Sequence, residues 1–186
     1  MPILPPEPYL FPHDLFDRAA PQLGEPRRWW VLHTRPRAEK ALSRGCLSRR
    51  LSFFLPLCQR HTRVRGKTLT AHVPLFSGYL FLLADEAERV EALTTNLVVN
   101  CLPVPDQGEL HADLSGVHRL MSSELPVAPE DRLSPGTQVE IVHGPLAGLR
   151  GRVIRQGKHL RFVVEVHFLH KGARVDLDGW MLEKVS

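Results

Sequence analysis

The stretch Val73–Leu83, reading VPLFSGYLFLL, decides the fold. It is an apolar run of strand length, rich in aromatic and aliphatic residues, and it predicts a central strand buried on both faces. Ser77-Gly78 interrupts it at a point where a strand can bend or bulge. Immediately upstream, Gln59–Thr70 carries Arg60, Arg63, Arg65 and Lys67 around Gly66, the pattern of a basic hairpin with a glycine tip.

Working towards the N-terminus, Phe53–Leu57 reads as a short strand. Residues 37–51 read as a helix, with Ala38, Leu42 and Cys46, then Leu47 and Leu51, at i, i+4 spacing. Lys40, Arg44, Arg49 and Arg50 fall on its polar side. Before it, WWVLHTR from Trp29 alternates two faces, with Trp29, Val31, His33 and Arg35 on one and Trp30, Leu32 and Thr34 on the other. Pro36 ends that strand. Residues 1–26 hold seven of the sixteen prolines and no sustained period. They are expected to be a largely disordered tail, with a short helix possible over Phe11–Arg18.

Working outward in the other direction, Asp85 and Glu86 open a helix over roughly 85–95, with Val90 and Leu93 expected to face inwards. Val98–Val104 reads as a strand and Leu114–Leu125 as a helix. Pro126–Pro135 mixes prolines with charges and reads as a linker. Beyond it come five short strands, Gln138–Val142, Arg150–Arg155, Leu160–Phe168, Arg174–Leu177 and Lys184-Val185. Gly144-Pro145, Gln156–Lys158, Lys171-Gly172 and Asp178-Gly179 separate them. That spacing predicts a small β-barrel. The fold class is therefore α+β: an α/β sandwich with an antiparallel sheet, then a small SH3-like five-stranded barrel. The expected boundaries are a tail at 1–26, a first domain at 27–125, a linker at 126–133 and a second domain at 134–186.

Charge is distributed unevenly over the 186 residues. Arg27–Lys67 holds twelve Lys/Arg and one acid, Glu39, whereas Asp85–Asp131 holds ten acids against Arg89 and Arg119. Such an asymmetry suits one face turned to a polyanion and another turned to water. Cys46, Cys58 and Cys101 are odd in number and match no zinc or disulfide framework, so a reducing compartment is expected and the protein is placed in the cytoplasm. No apolar run reaches membrane-spanning length. There is no GxSxG, HExxH or Walker loop, and Cys58 with His61 faces opposite ways on an extended segment. No catalytic residue, metal or cofactor is expected. The chain reads as a binding protein and a monomer.

The order of double-tryptophan strand, basic helix, basic hairpin, PLFSGYLFL and a C-terminal module opening VEIVHGPLAGLRGRV resembles the NusG family of transcription elongation factors over about residues 27–186. Ser77 stands where that family usually has proline in its aromatic strand, and Trp29-Trp30 stands for Trp-Tyr. The hairpin VRGKTLTAHVPLF is similar to that of the RfaH-type specialised paralogues. Gly144, Pro145, Leu146, Gly148 and Gly151 match the loop and required glycine of a KOW module.

The resemblance implies binding to RNA polymerase through Trp29, His33, Phe76 and Tyr79. It also implies contact with the single-stranded non-template DNA through Arg35 and Arg49. Arg44, Arg50, Arg63, Arg65 and Lys67 add cationic field. The implied function is transcription elongation or antitermination, by modulating pausing or termination. A ribosomal protein or termination factor is the implied partner of the KOW domain, for which Leu146 and Leu149 supply apolar side chains. Val139, Ile141, Val153, Ile154, Val163, Val164 and Val166 favour strands, so a constitutive barrel is expected rather than one that refolds into helices. The rival reading is an RNA-binding, ribosome-associated KOW protein using Arg150, Arg152 and Lys158.

Overall fold

The computed structural model describes residues 7–18, 20–21, 25–131, 135–156, 159–177 and 182–185. Their backbone falls into two compact units, the first drawn from Met1–Pro56 with Phe76–His111, the second from Leu57–Leu75 with Ala112–Ser186. This division differs from the boundaries expected at 125 and 134. The hairpin groups with the second unit, and the last long helix contributes residues to both.

In the first unit a five-stranded antiparallel sheet runs in the order β1-β3-β6-β2-β7. Its strands are β1 (Leu10–Phe11), β3 (Ser52–Phe54), β6 (Tyr79–Ala84), β2 (Arg28–Thr34) and β7 (Val98–Pro103). The expected continuous strand over 73–83 is corrected: strand β5 ends at Pro74, and β6 begins at Tyr79. Gly78 adopts φ +85°, so the chain turns there fully rather than bulging. From Trp29 to Leu32 and from Leu80 to Leu82 every side chain is buried, because both faces of the sheet are covered.

Helix α1 (Glu39–Ser48) packs on β3 and β6 and is shorter than 37–51 suggested. Leu51 N–H bonds to the Cys46 carbonyl and Arg50 N–H to that of Leu47, which closes the helix in a Schellman turn. Arg50 holds the left-handed position at φ +55°, and Leu51 turns back into the core. Helix α2 (Glu86–Leu93) is opened by a capping box in which Asp85 accepts from Glu88 N–H and Glu88 accepts from Asp85 N–H. Val90, expected to face inwards, is 49% exposed, and Ala92 is the buried residue instead.

The expected disordered tail is corrected over the described residues 7–18. Strand β1 pairs with β3, Leu15 is buried, and Phe16 lies on Trp29 and edge-on to Phe54. The short helix there is a single tight turn at Leu15–Asp17. Residues 1–6, 19 and 22–24, also part of that expectation, lie outside the described residues.

In the second unit a six-stranded antiparallel sheet runs β13-β9-β10-β11-β12-β8. It comprises β9 (Thr137–Ile141), β10 (Arg150–Gln156), β11 (His159–Val166), β12 (Lys171–Leu177), β13 (Leu182–Lys184) and β8 (Ala128–Glu130). The sixth strand comes from the presumed linker: Ala128–Glu130 pairs with β12. Linker residues 132–133 and the turns at 157–158 and 178–179 lie outside the described residues.

Helix α3 (Gln107–Met121) starts seven residues before the expected Leu114. Within the second unit its residue Asp113 accepts from the His167 backbone N–H at 2.9 Å, and Arg119 donates to the Ala147 carbonyl at 2.8 Å. Beside them β4 (Leu57–Val64) and β5 (Lys67–Pro74) form a two-stranded ribbon of their own.

Gly151 sits in β10 opposite Val139. A Cβ there would lie 2.5 Å from the Val163 carbonyl oxygen and 2.6 Å from the Phe162 ring, so no side chain fits. Gly144 and Gly148 in the preceding loop take φ of +86° and +82°.

Candidate binding surface

Two strands place the central pair. His33 on β2 lies directly opposite Tyr79 on β6, and their rings stack with centroids 5.3 Å apart and planes 29° from parallel. Beneath them, on the other face of the sheet, the adjacent pair Leu32 and Leu80 is fully buried. His33 is exposed and Tyr79 half-buried.

The turn that precedes Tyr79 is held by a residue sequence reasoning passed over. Glu39, the one acid in the basic stretch, is 7% exposed, and its carboxylate accepts the Gly78 N–H at 2.7 Å. Thr34 N–H donates to the Gly78 carbonyl at 2.8 Å. A glycine suits the position because of its positive φ. That a single carboxylate survives among twelve cations was the available signal.

The other two aromatic candidates do not join this surface. Trp29 is completely buried: its backbone N–H and carbonyl both bond to the Gln107 amide, and its indole N–H donates to His111 Nδ1 at 3.2 Å. Phe76 is 2% exposed and meets Phe81 edge-on at 6.2 Å. Both are core.

His111 is a buried titratable group of this unit. Burial pushes its pKa down, against a smaller opposing effect of a hydrogen bond to the Arg18 backbone. Since Nδ1 accepts from Trp29, the neutral ring carries its proton on Nε2. At the opposite side of β2, Trp30 is flanked by the guanidinium carbons of Arg28 and Arg89 at 4.4 and 4.9 Å.

The cationic candidates separate into two sets. Arg35 follows β2 directly, two residues after His33, and is exposed, its backbone N–H bonded to Leu97. Arg49 and Arg50 cap α1 and are exposed; Arg49 reaches Glu91 only at 4.0 Å. Arg44 is taken up by Glu7 in a 2.7 Å ion pair. Arg63, Arg65 and Lys67 surround the tip of the ribbon, in the other unit, and are exposed.

The loop residues Gly144, Pro145 and Gly148 are exposed, whereas Leu146 and Leu149 are buried at 3% and 5%. Leu146, Leu125, Ile141, Pro145 and Leu177 line an apolar cleft of about 400 Å³. Five cations on the sheet are neutralised locally: Arg150 by Glu140, Arg152 by Glu165, Arg161 and Arg174 by Glu130, and Lys171 by Asp131.

Among the described residues no group of three or more His, Cys, Asp or Glu could hold a metal ion, and no helix is long and apolar enough to cross a membrane. The Cys46 thiol is pushed up to about 12 by burial, and burial raises Cys58 and Cys101 as well.

An aromatic pair is thus presented from an antiparallel sheet, next to exposed arginines. The family model described as "Transcription termination factor nusG" matches residues 27–126. The chain belongs to the NusG family and is a transcription factor of that family.

Among solved structures it is similar to one described as "Domain interaction in Thermotoga maritima NusG". That likeness has 16% identity and a TM-score of 0.48 over 86% of this chain and 98% of the other. A second is described as "Crystal Structure of MjSpt4:Spt5 complex conformation B", at 16% identity and a TM-score of 0.27 over 85% of this chain and 97% of that one. No match is found among curated proteins.

Proposed function

We propose that this NusG-family protein is an elongation or antitermination factor that binds core RNA polymerase through the His33–Tyr79 surface and contacts the non-template single strand through Arg35 and Arg49. The carrying observation is the stacked pair itself, half open to solvent on a buried floor. Aromatic anchors of this kind bury much area at little entropic cost and dominate interface energetics. Arg35, two residues from His33, puts a guanidinium near that anchor, where a phosphate contact would position a strand without reading it. Binding that favours the processive state of polymerase suppresses pausing without catalysis, so no enzymatic activity is proposed.

We read the second unit as a KOW module, on the strength of its strand spacing, the positive-φ glycines of its loop and the crowding at Gly151. Its apolar cleft beside Leu146 suits a protein partner, and a ribosomal protein or termination factor fills that role in the proposal. The hairpin is the feature shared with RfaH-type paralogues in this reading. The rival, RNA binding by the sheet, is disfavoured because Arg150 and Arg152 are already paired with acids; Lys158 lies outside the described residues.

Pull-down separates the two. The full-length protein should retain core polymerase from purified components in the absence of ribosomes. Retention of ribosomes alone, with no polymerase, would overturn the proposal.

A further inference from the structure

The ribbon β4–β5 is not needed to complete either sheet. Its strands pair only with each other, in register from Leu57↔Pro74 to Val64↔Lys67, and residues 59–72 are exposed on every side. An isolated two-stranded hairpin is marginal in water, and this one is anchored only at its root, where Cys58 is buried and Val73 and Pro74 are partly covered. The chain thus devotes fourteen residues, 59–72, to an arm that buries nothing.

Composition says what the arm meets. Leu57–Pro74 contains Arg60, Arg63, Arg65 and Lys67 and no Asp or Glu. Among the described residues none of these four is in an ion pair, in contrast to the sheet cations of the same unit. The register puts Arg60, Thr62, Val64, Lys67 and Leu69 on one face and Gln59, His61, Arg63, Thr68, Thr70 and His72 on the other, with Arg65 at the turn.

Charges that merely guard the ribbon's edges against strand pairing have no need to cover both faces and the tip. Here they occupy both faces and the tip. A flat protein surface would meet one face only, whereas a groove with a phosphate wall on each side meets both.

We infer that the β4–β5 ribbon is an arm for duplex DNA, entering the major groove tip-first with Arg63, Arg65 and Lys67 on the flanking phosphates. The B-form major groove, about 12 Å wide, admits a two-stranded ribbon. The A-form RNA major groove is too deep and narrow for side chains to read. Val64 and Leu69, 45% and 55% exposed, add apolar side chains to the face that carries Arg60 and Lys67. The contacts are to backbone and shape, so little sequence preference is expected. This arm is independent of the polymerase surface and of the single-strand contact at Arg35.

The test uses full-length protein and fluorescence anisotropy with a labelled DNA duplex of about two helical turns, the matching single strand, and the matching RNA duplex, across a salt series. The wild type should prefer the DNA duplex. Arg63→Ala, Arg65→Ala and Lys67→Ala together should flatten the slope of log affinity against log salt by roughly 2 to 3 units, since each phosphate contact on B-DNA contributes about −0.9. Replacing Arg63 and Arg65 by Lys keeps the charge and should keep the slope.

Wild-type affinity and slope in the triple alanine variant would overturn the inference. So would equal or tighter binding of the RNA duplex, or a triple alanine variant that weakens single-strand binding as much as duplex binding. Polymerase pull-down on the same samples reads the other proposal separately. Duplex binding without polymerase leaves the arm standing and sinks the polymerase reading; the reverse sinks the arm alone.

Discussion

At the scale of single residues, His111 couples the first unit to pH. Its ring is nearly enclosed by Trp29 and Phe16 and accepts the Trp29 indole N–H, so the folded state prefers it neutral. A histidine whose folded-state pKa is depressed takes up a proton on unfolding. Its contribution is therefore complete above the unfolded value, near 6.5, and is lost as pH falls below it. Denaturation at pH 7.5 and 5.5 should show the wild type losing stability towards acid, by at most about 1.4 kcal/mol per pH unit from this group. His111→Gln, which cannot titrate, should lose less over the same interval. Identical pH dependence in the two proteins would show that His111 does not contribute it.

At the scale of elements, the N-terminal segment behaves as a structural strap. Leu15 is 1% exposed and Leu55 N–H donates to the Tyr9 carbonyl, which extends the pairing of β1 with β3. Leu15→Ala should therefore cost about 2 kcal/mol or more in urea denaturation, as buried leucine truncations do. A free tail would lose nothing. The strap was illegible in sequence because prolines hide period, and because two residues of strand suffice when an edge is already waiting.

Elsewhere periodicity served well. WWVLHTR, the basic helix, the glycine-tipped hairpin and most strands of the second sheet lie close to where their patterns put them. The break at Leu75–Gly78 was misjudged, since an apolar run reads the same whether it is one strand or two joined by a turn. Glycine with positive φ decides between them, and φ is not written in hydropathy. Trp29 and Phe76 were implied as surface residues by the family resemblance, which matches residue types and does not say which of them the fold buries.

At the scale of the whole molecule, family membership and local geometry converge on a transcription factor whose two units carry different chemistry. The first presents an aromatic pair and exposed arginines beside an antiparallel sheet. The second presents an apolar cleft, a sheet most of whose described cations are paired with acids, and a basic ribbon. The central claim is that the His33–Tyr79 surface is the polymerase contact.

Its most direct test is the dissociation constant for core polymerase of the wild type and of the His33→Ala, Tyr79→Ala double variant, with thermal melting recorded on the same samples. Neither side chain is fully buried, so the melting transition should stay near that of the wild type. The affinity should fall by a factor of about 30 or more, the equivalent of a hot-spot loss of roughly 2 kcal/mol. A folded double variant that binds polymerase as tightly as the wild type would contradict the account.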